Sequence, residues 1–403
     1  MDFNNTNDSL TRRVRAFTER LTRLKEHDLY FYNQPVAEIL PGMKVRVHGR
    51  EMGMYASYSY LGLVGHPRIN EASKKAVDKF GTGTNGVRML AGTLSIHTEL
   101  EETIANFKHA EAAVTYSSGY ATNLTVISSL MGRGDYVFSD KLNHASIVDG
   151  CLMSGAEFRR FKHNDMEHLE GLLKNAPADA TKLVVADSVF SMDGDIIDLP
   201  GIVALCKKYN AWLMIDEAHS VGVLGKTGTG IEEHFNMLGS VDIKMGTLSK
   251  TIPSVGGYVA TSKEIVTYLK HASRAYIFSA ALPPAQAAAA NEAFKVILDE
   301  PDRLERLNAN TKQFIGGLKS MGFNTLLTET AIVPVLCGTD DKAFDLTRRC
   351  QEKDVFVLPV VSPAVQEGMS RLRATVTAAH EPADIEYAMD VIYQAGKEMG
   401  MVK

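Results

Sequence analysis

Five short apolar runs in this chain each end in residues that can do chemistry. After "VDIKM" come Thr247, Ser249 and Lys250, and after "AWLMI" come Asp216, Glu217 and His219. "TKLVVA" leads to Asp187, Ser188 and, three further on, Ser191, while "FSD" leads to Asn143 and His144. "AAVTY" is followed by Ser117, Ser118, Gly119 and Tyr120, which open a helix. In an open parallel sheet, ligands bind outside the carboxyl ends of the strands, so these groups are expected on one rim. The set matches the requirements of pyridoxal 5′-phosphate (PLP). Its aldehyde needs a lysine for a Schiff base, the part of Lys250. Its pyridine nitrogen needs a carboxylate, the part of Asp216. Its phosphate needs free N–H donors, which the Ser118–Tyr120 helix start offers, and its ring needs a flat neighbour, His144.

The elements that must position these residues follow from pattern. From about residue 98, helical stretches alternate with the apolar runs above, and "GGYVAT" completes the series. That alternation indicates βαβ units and a largely parallel sheet in an α/β fold. "ALPPAQAAAANEAFKVILDE" is expected as a long helix leaving the sheet. Beyond it, "AIVPVLCG", "DVFVLPVV" and "SRLRATVT" are strands among helices, the content of a smaller α+β domain. Leu10, Val14, Phe17, Leu21 and Leu24 recur at helical spacing and predict an amphipathic helix over 10–26. Its other face, with Arg12, Arg13, Arg15, Arg20, Arg23 and Lys25, reads as solvated. The expected division is an N-terminal helix and arm over 1–60, a large cofactor domain over 61–290 and a C-terminal domain over 291–403.

Composition narrows the partners. A formal net charge of −5 over 403 residues offers no basis for binding nucleic acid. Four cysteines without a C-x-x-C pair argue against a disulfide framework or a zinc site and suit a reducing compartment. No apolar run is long enough to span a membrane, and the polar N-terminus lacks a signal core; a cytoplasmic protein is expected. Three tempting motifs fail. "GTGTNG" at 81–86 matches a dinucleotide loop by letter but follows a helical stretch where a strand is required. "LGKTGTG" has Ser220 where a phosphate loop needs its first glycine. His163 and His168, five apart, do not share a helix face as metal ligands would, and are read as ordinary surface histidines.

"NHASIVDG", "FSMDGD", "IDEAHSVGVLG", "GTLSK", "YIFSAALPP" and "RLRATVTAAH" together resemble the α-oxoamine synthase family of fold-type-I PLP enzymes, from about residue 45 to the C-terminus. The resemblance implies a large domain with a mostly parallel seven-stranded sheet, and a decarboxylative condensation of a small amino acid with an acyl thioester on CoA or an acyl-carrier protein. It implies that Lys250 holds the cofactor and moves the substrate α-proton, that Asp216 pairs with the pyridinium, and that His219 and Ser191 reach the phenolic oxygen. His144 would stack on the ring and help hold the thioester carbonyl. Ser118, Gly119, Tyr120 and Thr247 would hold the phosphate, with Ser279 reaching the site of a partner in a homodimer. Arg373 would bind the substrate carboxylate, and Arg371 would be a neighbouring structural charge.

The chain departs from the family pattern in places. Tyr58 and Ser59 stand where an asparagine is usual, and Ala280 where a small polar residue often sits. Val87 and Met89 put apolar side chains where the succinyl-using branch resembles Thr and Asn, which disfavours a donor with a second carboxylate. A fold-type-I aminotransferase is the alternative, since it shares the lysine, aspartate and arginine. An inactive partner subunit is disfavoured because Lys250 is present.

Overall fold

The computed structural model describes residues 8–403. Strands β1 (Val36–Leu40), β2 (Lys44–Val47) and β3 (Arg50–Met54) form an antiparallel arm. The central sheet comprises β4 (Ala112–Tyr116), β5 (Tyr136–Asp140), β6 (Glu157–Phe161), β7 (Lys182–Asp187), β8 (Trp212–Asp216), β9 (Ile243–Ser249) and β10 (Pro253–Thr261), in the spatial order β4-β10-β9-β8-β7-β5-β6. Successive residues point to opposite faces of a strand, and both faces here are apolar. Leu183, Val185 and Met214 pack into one core, while Val184, Ala186, Leu213 and Ile215 pack into the other. Helices cover both faces, as the alternating pattern predicts.

The sheet is mostly parallel and seven-stranded as expected, and two of its strands add detail that the pattern did not give. β10 runs antiparallel to both neighbours, because only three residues separate it from β9 and a parallel return needs a crossover of a dozen or more. Lys250 therefore sits in the turn of a hairpin. β6 is an edge strand absent from the apolar-run pattern, since Glu157, Arg159 and Arg160 face solvent.

The helix Pro284–Asp299 forms as expected and packs against β10 and the helices Pro67–Phe80 and Ser95–Phe107, with Ala287–Ala290 and Ala293 buried. The C-terminal region adds β11 (Ile332–Gly338), β12 (Val355–Phe356), β13 (Leu358–Val360) and β14 (Ser370–Thr375). β14 lies between β11 and β13. β12 instead pairs with β3, so the N-terminal arm and the C-terminal region share a sheet.

The helix Ser9–Glu26 forms where predicted, capped by Asp8. Of its apolar stripe, Leu24 reaches the core, whereas Leu10, Val14 and Phe17 stay exposed. Among the described residues no element lies over that face. All four cysteines are buried and free. No helix of the described chain is long and apolar enough to cross a membrane.

His163 corrects its reading as an ordinary surface residue. Its Nδ1 lies 3.1 Å from Asp140 Oδ1 and its Nε2 2.8 Å from Asp195 Oδ2, and its edge meets Phe190. Burial opposes its charge, but the two carboxylates prevail and lift its pKa to about 10. It thus ties the end of β5 to the loop carrying Ser191. A histidine raised in the folded state stabilises fully below its unfolded pKa of about 6.5. That stabilisation is lost as pH rises through about 10. His163→Gln should therefore lower Tm at pH 6 and make less difference at pH 10, as checked by thermal melts across that range.

Candidate active site

The carboxyl ends of β7, β8 and β9, with the helix starts after β4 and β5, enclose a cavity of about 280 Å³. Ser118, Gly119, Tyr120, His144, Ser191, Asp216, His219, Thr247 and Lys250 all line it. Two further residues singled out in the sequence stand apart from this lining. Ser279 lies beside Ser117, with the two hydroxyls 3.3 Å apart. Arg373 projects from β14, and its guanidinium lies 4.9 Å from the centre of the Tyr58 ring. Lys250 Nζ lies 5.8 Å from the centre of that same ring.

Each group is held by its element. Ser118 caps the helix Gly119–Leu130, its Oγ accepting from Ala121 N and its carbonyl from Thr122 N. The other two N–H groups of that first turn, on Gly119 and Tyr120, are left for a ligand. A side chain at Gly257 of β10 would come 2.7 Å from Gly119 Cα, so glycine there lets the hairpin press against the helix start. Thr247 Oγ1 is oriented by Ser249 Oγ at 2.8 Å and by Gly256 O at 3.2 Å. His144 caps the helix Ala145–Ser154, and its backbone N–H donates to Asp187 Oδ2 at 2.8 Å. Its ring meets Tyr120 edge to face.

Asp216 ends β8, where Oδ1 accepts from Ala218 N at 2.9 Å and Oδ2 from Asn123 Nδ2 at 2.7 Å. Asn123 also donates to Ser146 Oγ, which joins it to His144. Burial and the neighbouring charge of Asp216 hold the Asp187 carboxyl well above the usual carboxylate range. Beneath this rim, Glu217 is buried against Lys108 at 2.6 Å and accepts from Ile231 N, which fixes the turn carrying His219.

Lys250 Nζ lies 2.9 Å from His219 Nε2, and the other ring nitrogen lies 2.6 Å from Tyr60 Oη. Burial, then the cations Lys250 and Arg373, push His219 well below its ordinary value and keep it neutral. Burial likewise lowers Lys250 to about 8, against the opposing pull of Asp216 and Asp187. The free amine is thus far more populated near neutral pH than that of an ordinary lysine. Cofactor-free protein should take up PLP covalently with a pH midpoint near 8, followed by absorbance after stopped-flow mixing. A midpoint near the ordinary lysine value would show that the amine is solvated.

Arg373 donates through Nε to Ser191 O at 2.7 Å and through Nη1 to Thr375 Oγ1 at 3.1 Å. Its buried Nη2 has no partner. Arg371 instead pairs with Asp193 at 2.7 Å and donates to Met192 O at 3.2 Å and Met369 O at 3.0 Å. Arg88, in the "GVRMLAGT" segment, is buried and taken up by Glu101, Thr93 and Thr115. Ala280 bridges to Val87 through the backbone, so its side chain is not needed there.

Sequence reasoning missed Asn123, Tyr60 and the contacts of Tyr58. Asn123 lies one helical turn beyond the phosphate-binding turn, a spacing that points it back toward the strand ends. Tyr60 and Tyr58 come from a segment outside the large sheet, and nothing in their pattern indicates that they meet His219.

A buried lysine with a lowered pKa, a carboxylate held by an amide, free N–H groups and a neutral histidine fit PLP together. The chain belongs to the aminotransferase class I and II family, whose model matches residues 54–392. Within that class it is an α-oxoamine synthase, a PLP-dependent enzyme that condenses an acyl group with an amino acid. It is 44% identical over 392 residues to an 8-amino-7-oxononanoate synthase of Geobacter sulfurreducens, covering 96% of this chain and 100% of that one. It also superimposes on a Sphingomonas wittichii serine palmitoyltransferase with a TM-score of 0.95 and 34% identity, covering 98% and 100% of the two chains. A serine palmitoyltransferase carrying PLP matches with a TM-score of 0.94 and 35% identity over 98% of this chain and 100% of that one.

Proposed function

We propose that this enzyme joins glycine, alanine or serine to an aliphatic acyl thioester, on CoA or an acyl-carrier protein, releasing an aminoketone, carbon dioxide and the thiol. The observation that carries the reading is the buried, unpaired Nη2 of Arg373, which shares the Tyr58 ring with Lys250. PLP, when bound, supplies an electron sink for the charge left at the amino-acid α-carbon.

The chain's own residues do the rest. Arg373 grips the amino-acid carboxylate and fixes which α-carbon bond faces the reacting system. Lys250, with its free amine populated near neutral pH, takes the α-proton and later returns one. Asp216, oriented by Asn123, holds a proton on the pyridine nitrogen. His219 and Ser191 serve the phenolic oxygen, and Tyr60 keeps His219 in place. Ser118, Gly119, Tyr120 and Thr247 hold the phosphate. His144, on the open side of the cavity, covers the ring and holds the carbonyl of the thioester. Ser279 and the exposed Phe278 beside it serve the neighbouring site of a homodimer.

The reading is tested by titrating the PLP-loaded protein with glycine, alanine and serine while recording its visible spectrum, then adding acyl-CoA and measuring thiol release. A saturable spectral change with one amino acid and thiol release equal to carbon dioxide release are expected. Product formed from amino acid and a keto acid, with no thiol freed, would make it an aminotransferase.

Asn123→Ala should weaken PLP retention and lower turnover by about tenfold, because Asp216 loses a charge-assisted hydrogen bond worth about 1.5–3 kcal/mol. Equilibrium dialysis of the cofactor checks this, and unchanged retention would show that Asp216 needs no such support.

A further inference from the structure

The loop that brings Ser191 to the site is gripped from the C-terminal strands at almost every step. Val189 and Ile196 form an antiparallel bridge and Gly194 N donates to Phe190 O at 2.8 Å, so Ser191–Gly194 is the tip of a small hairpin. His163 ties its base to the end of β5 by holding Asp195 and Asp140. The tip is held from elsewhere. Ser191 O accepts from Arg373 Nε at 2.7 Å, and Met192 O accepts from Arg371 Nη1 at 3.2 Å. Gly194 O accepts from Thr330 Oγ1 at 2.9 Å and from Glu329 N at 3.2 Å. At φ +77°, a Cβ on Gly194 would collide with Ile332 O, so glycine there lets the tip meet the start of β11.

Asp193 completes the grip. Its Oδ1 accepts at 2.7 Å from Arg371 Nη1, the same nitrogen that donates to Met192 O, and Arg371 is buried. Charge-assisted hydrogen bonds of this kind are about twice as strong as neutral ones. Without the carboxylate the guanidinium is free to turn, and Met192 O loses its donor. Ser191 lies two residues back along the tip, with its side chain on the cofactor cavity and its carbonyl on Arg373. A shift of the tip is therefore felt twice: Ser191 Oγ moves against the cofactor, and Arg373 turns away from the amino-acid carboxylate.

We propose that Asp193 is a positioning residue for the condensation. Paired with Arg371, it holds the hairpin tip so that Ser191 meets the phenolic oxygen of PLP and Arg373 meets the amino-acid carboxylate in one fixed arrangement. Asp193 itself does not line the cavity and acts only through these neighbours. This rests on the roles proposed above for Ser191 and Arg373.

The test compares PLP-loaded full-length protein as wild type, Asp193→Ala, Ser191→Ala and the double variant. Visible absorbance is titrated against pH, and thiol release is measured with the amino acid that gives the largest spectral change. Asp193→Ala should shift the pH midpoint of the absorbance in the same direction as Ser191→Ala. It should also lower kcat/KM by about 10- to 100-fold, the scale of a misplacement near one ångström. Adding Asp193→Ala to Ser191→Ala should shift the midpoint no further, because effects that pass through one residue do not add. Asp193→Asn, which keeps an oxygen for Arg371, should recover most of both. A lowered Tm with midpoint and kcat/KM unchanged would make the ion pair purely structural and overturn the positioning role. Midpoint shifts that add in the double variant would overturn it too. A shift for Ser191→Ala with none for Asp193→Ala would overturn that role while leaving the Ser191 contact intact. No shift for Ser191→Ala would overturn the contact and the positioning role together. Should Asp193→Ala fail to fold, Thr330→Ala frees Gly194 O at the same tip and is read by the same outcomes.

Discussion

Replacing Lys250 by alanine should leave a folded protein that no longer holds PLP covalently and turns over at least about 10³-fold more slowly, the scale of a lost proton-transfer group. The expectation rests on position and charge together. Lys250 occupies the turn between β9 and β10, where its amine lies beside His219 and its pKa is lowered to about 8. Removing it takes away both the attachment point and the base, while deleting a buried cation that no ion pair requires. Loss of fold is not expected, since Tm should stay within a few degrees of the wild type. Borohydride reduction followed by mass spectrometry decides the point. Cofactor still covalently trapped on the variant would move the anchor to another lysine. Lys108 and Lys244 are poor candidates, because both are buried in ion pairs with Glu217 and Glu232.

Arg373→Ala is the second large effect. With Nε and Nη1 engaged by Ser191 O and Thr375, the guanidinium is already oriented before substrate arrives, and Nη2 alone is unspent. Truncating one partner of a buried, hydrogen-bonded charge pair costs about 2–5 kcal/mol. The amino-acid KM should therefore rise by about 10²-fold, with a smaller fall in kcat if the carboxylate is gripped equally in ground and transition states. Arg373→Lys should restore little, because a point charge cannot reproduce the planar fork. Steady-state kinetics in the amino acid, at saturating acyl-CoA, reads both numbers. An unchanged KM would mean that the carboxylate binds elsewhere. Arg371→Ala should behave differently, lowering Tm through the orphaned Asp193 rather than raising KM selectively.

Much of the site was legible because strand-end chemistry is local. An apolar run followed at once by Asp216, or by Thr247 through Lys250, needs no knowledge of distant segments. The same holds for Ser118 at a helix start, whose capping role follows from residue type and position. The N-terminal helix shows the limit of such reading. Its periodicity predicts the helix over 10–26, but not whether its stripe finds a cover, and Leu10, Val14 and Phe17 remain exposed. His163 shows the same limit: its spacing from His168 reads as that of an ordinary surface histidine and could not show Asp140 and Asp195 closing around it.

What the sequence determined by itself is therefore the set of reactive groups and the alternating α/β order that brings them to one rim, since both depend on neighbours a few residues away. Tertiary structure decided the rest. The antiparallel course of β10 turned Lys250 into a hairpin tip, and Asn123, brought beside Asp216 from 93 positions away, became its clamp. Tyr60 reached His219 across 159 positions, and Arg373 reached Ser191 across 182. The lowered pKa of Lys250 and the neutrality of His219 are likewise products of burial, which no local pattern encodes. Contacts of that range depend on how the sheet, the arm and the C-terminal strands pack as a whole, so only the folded chain discloses them.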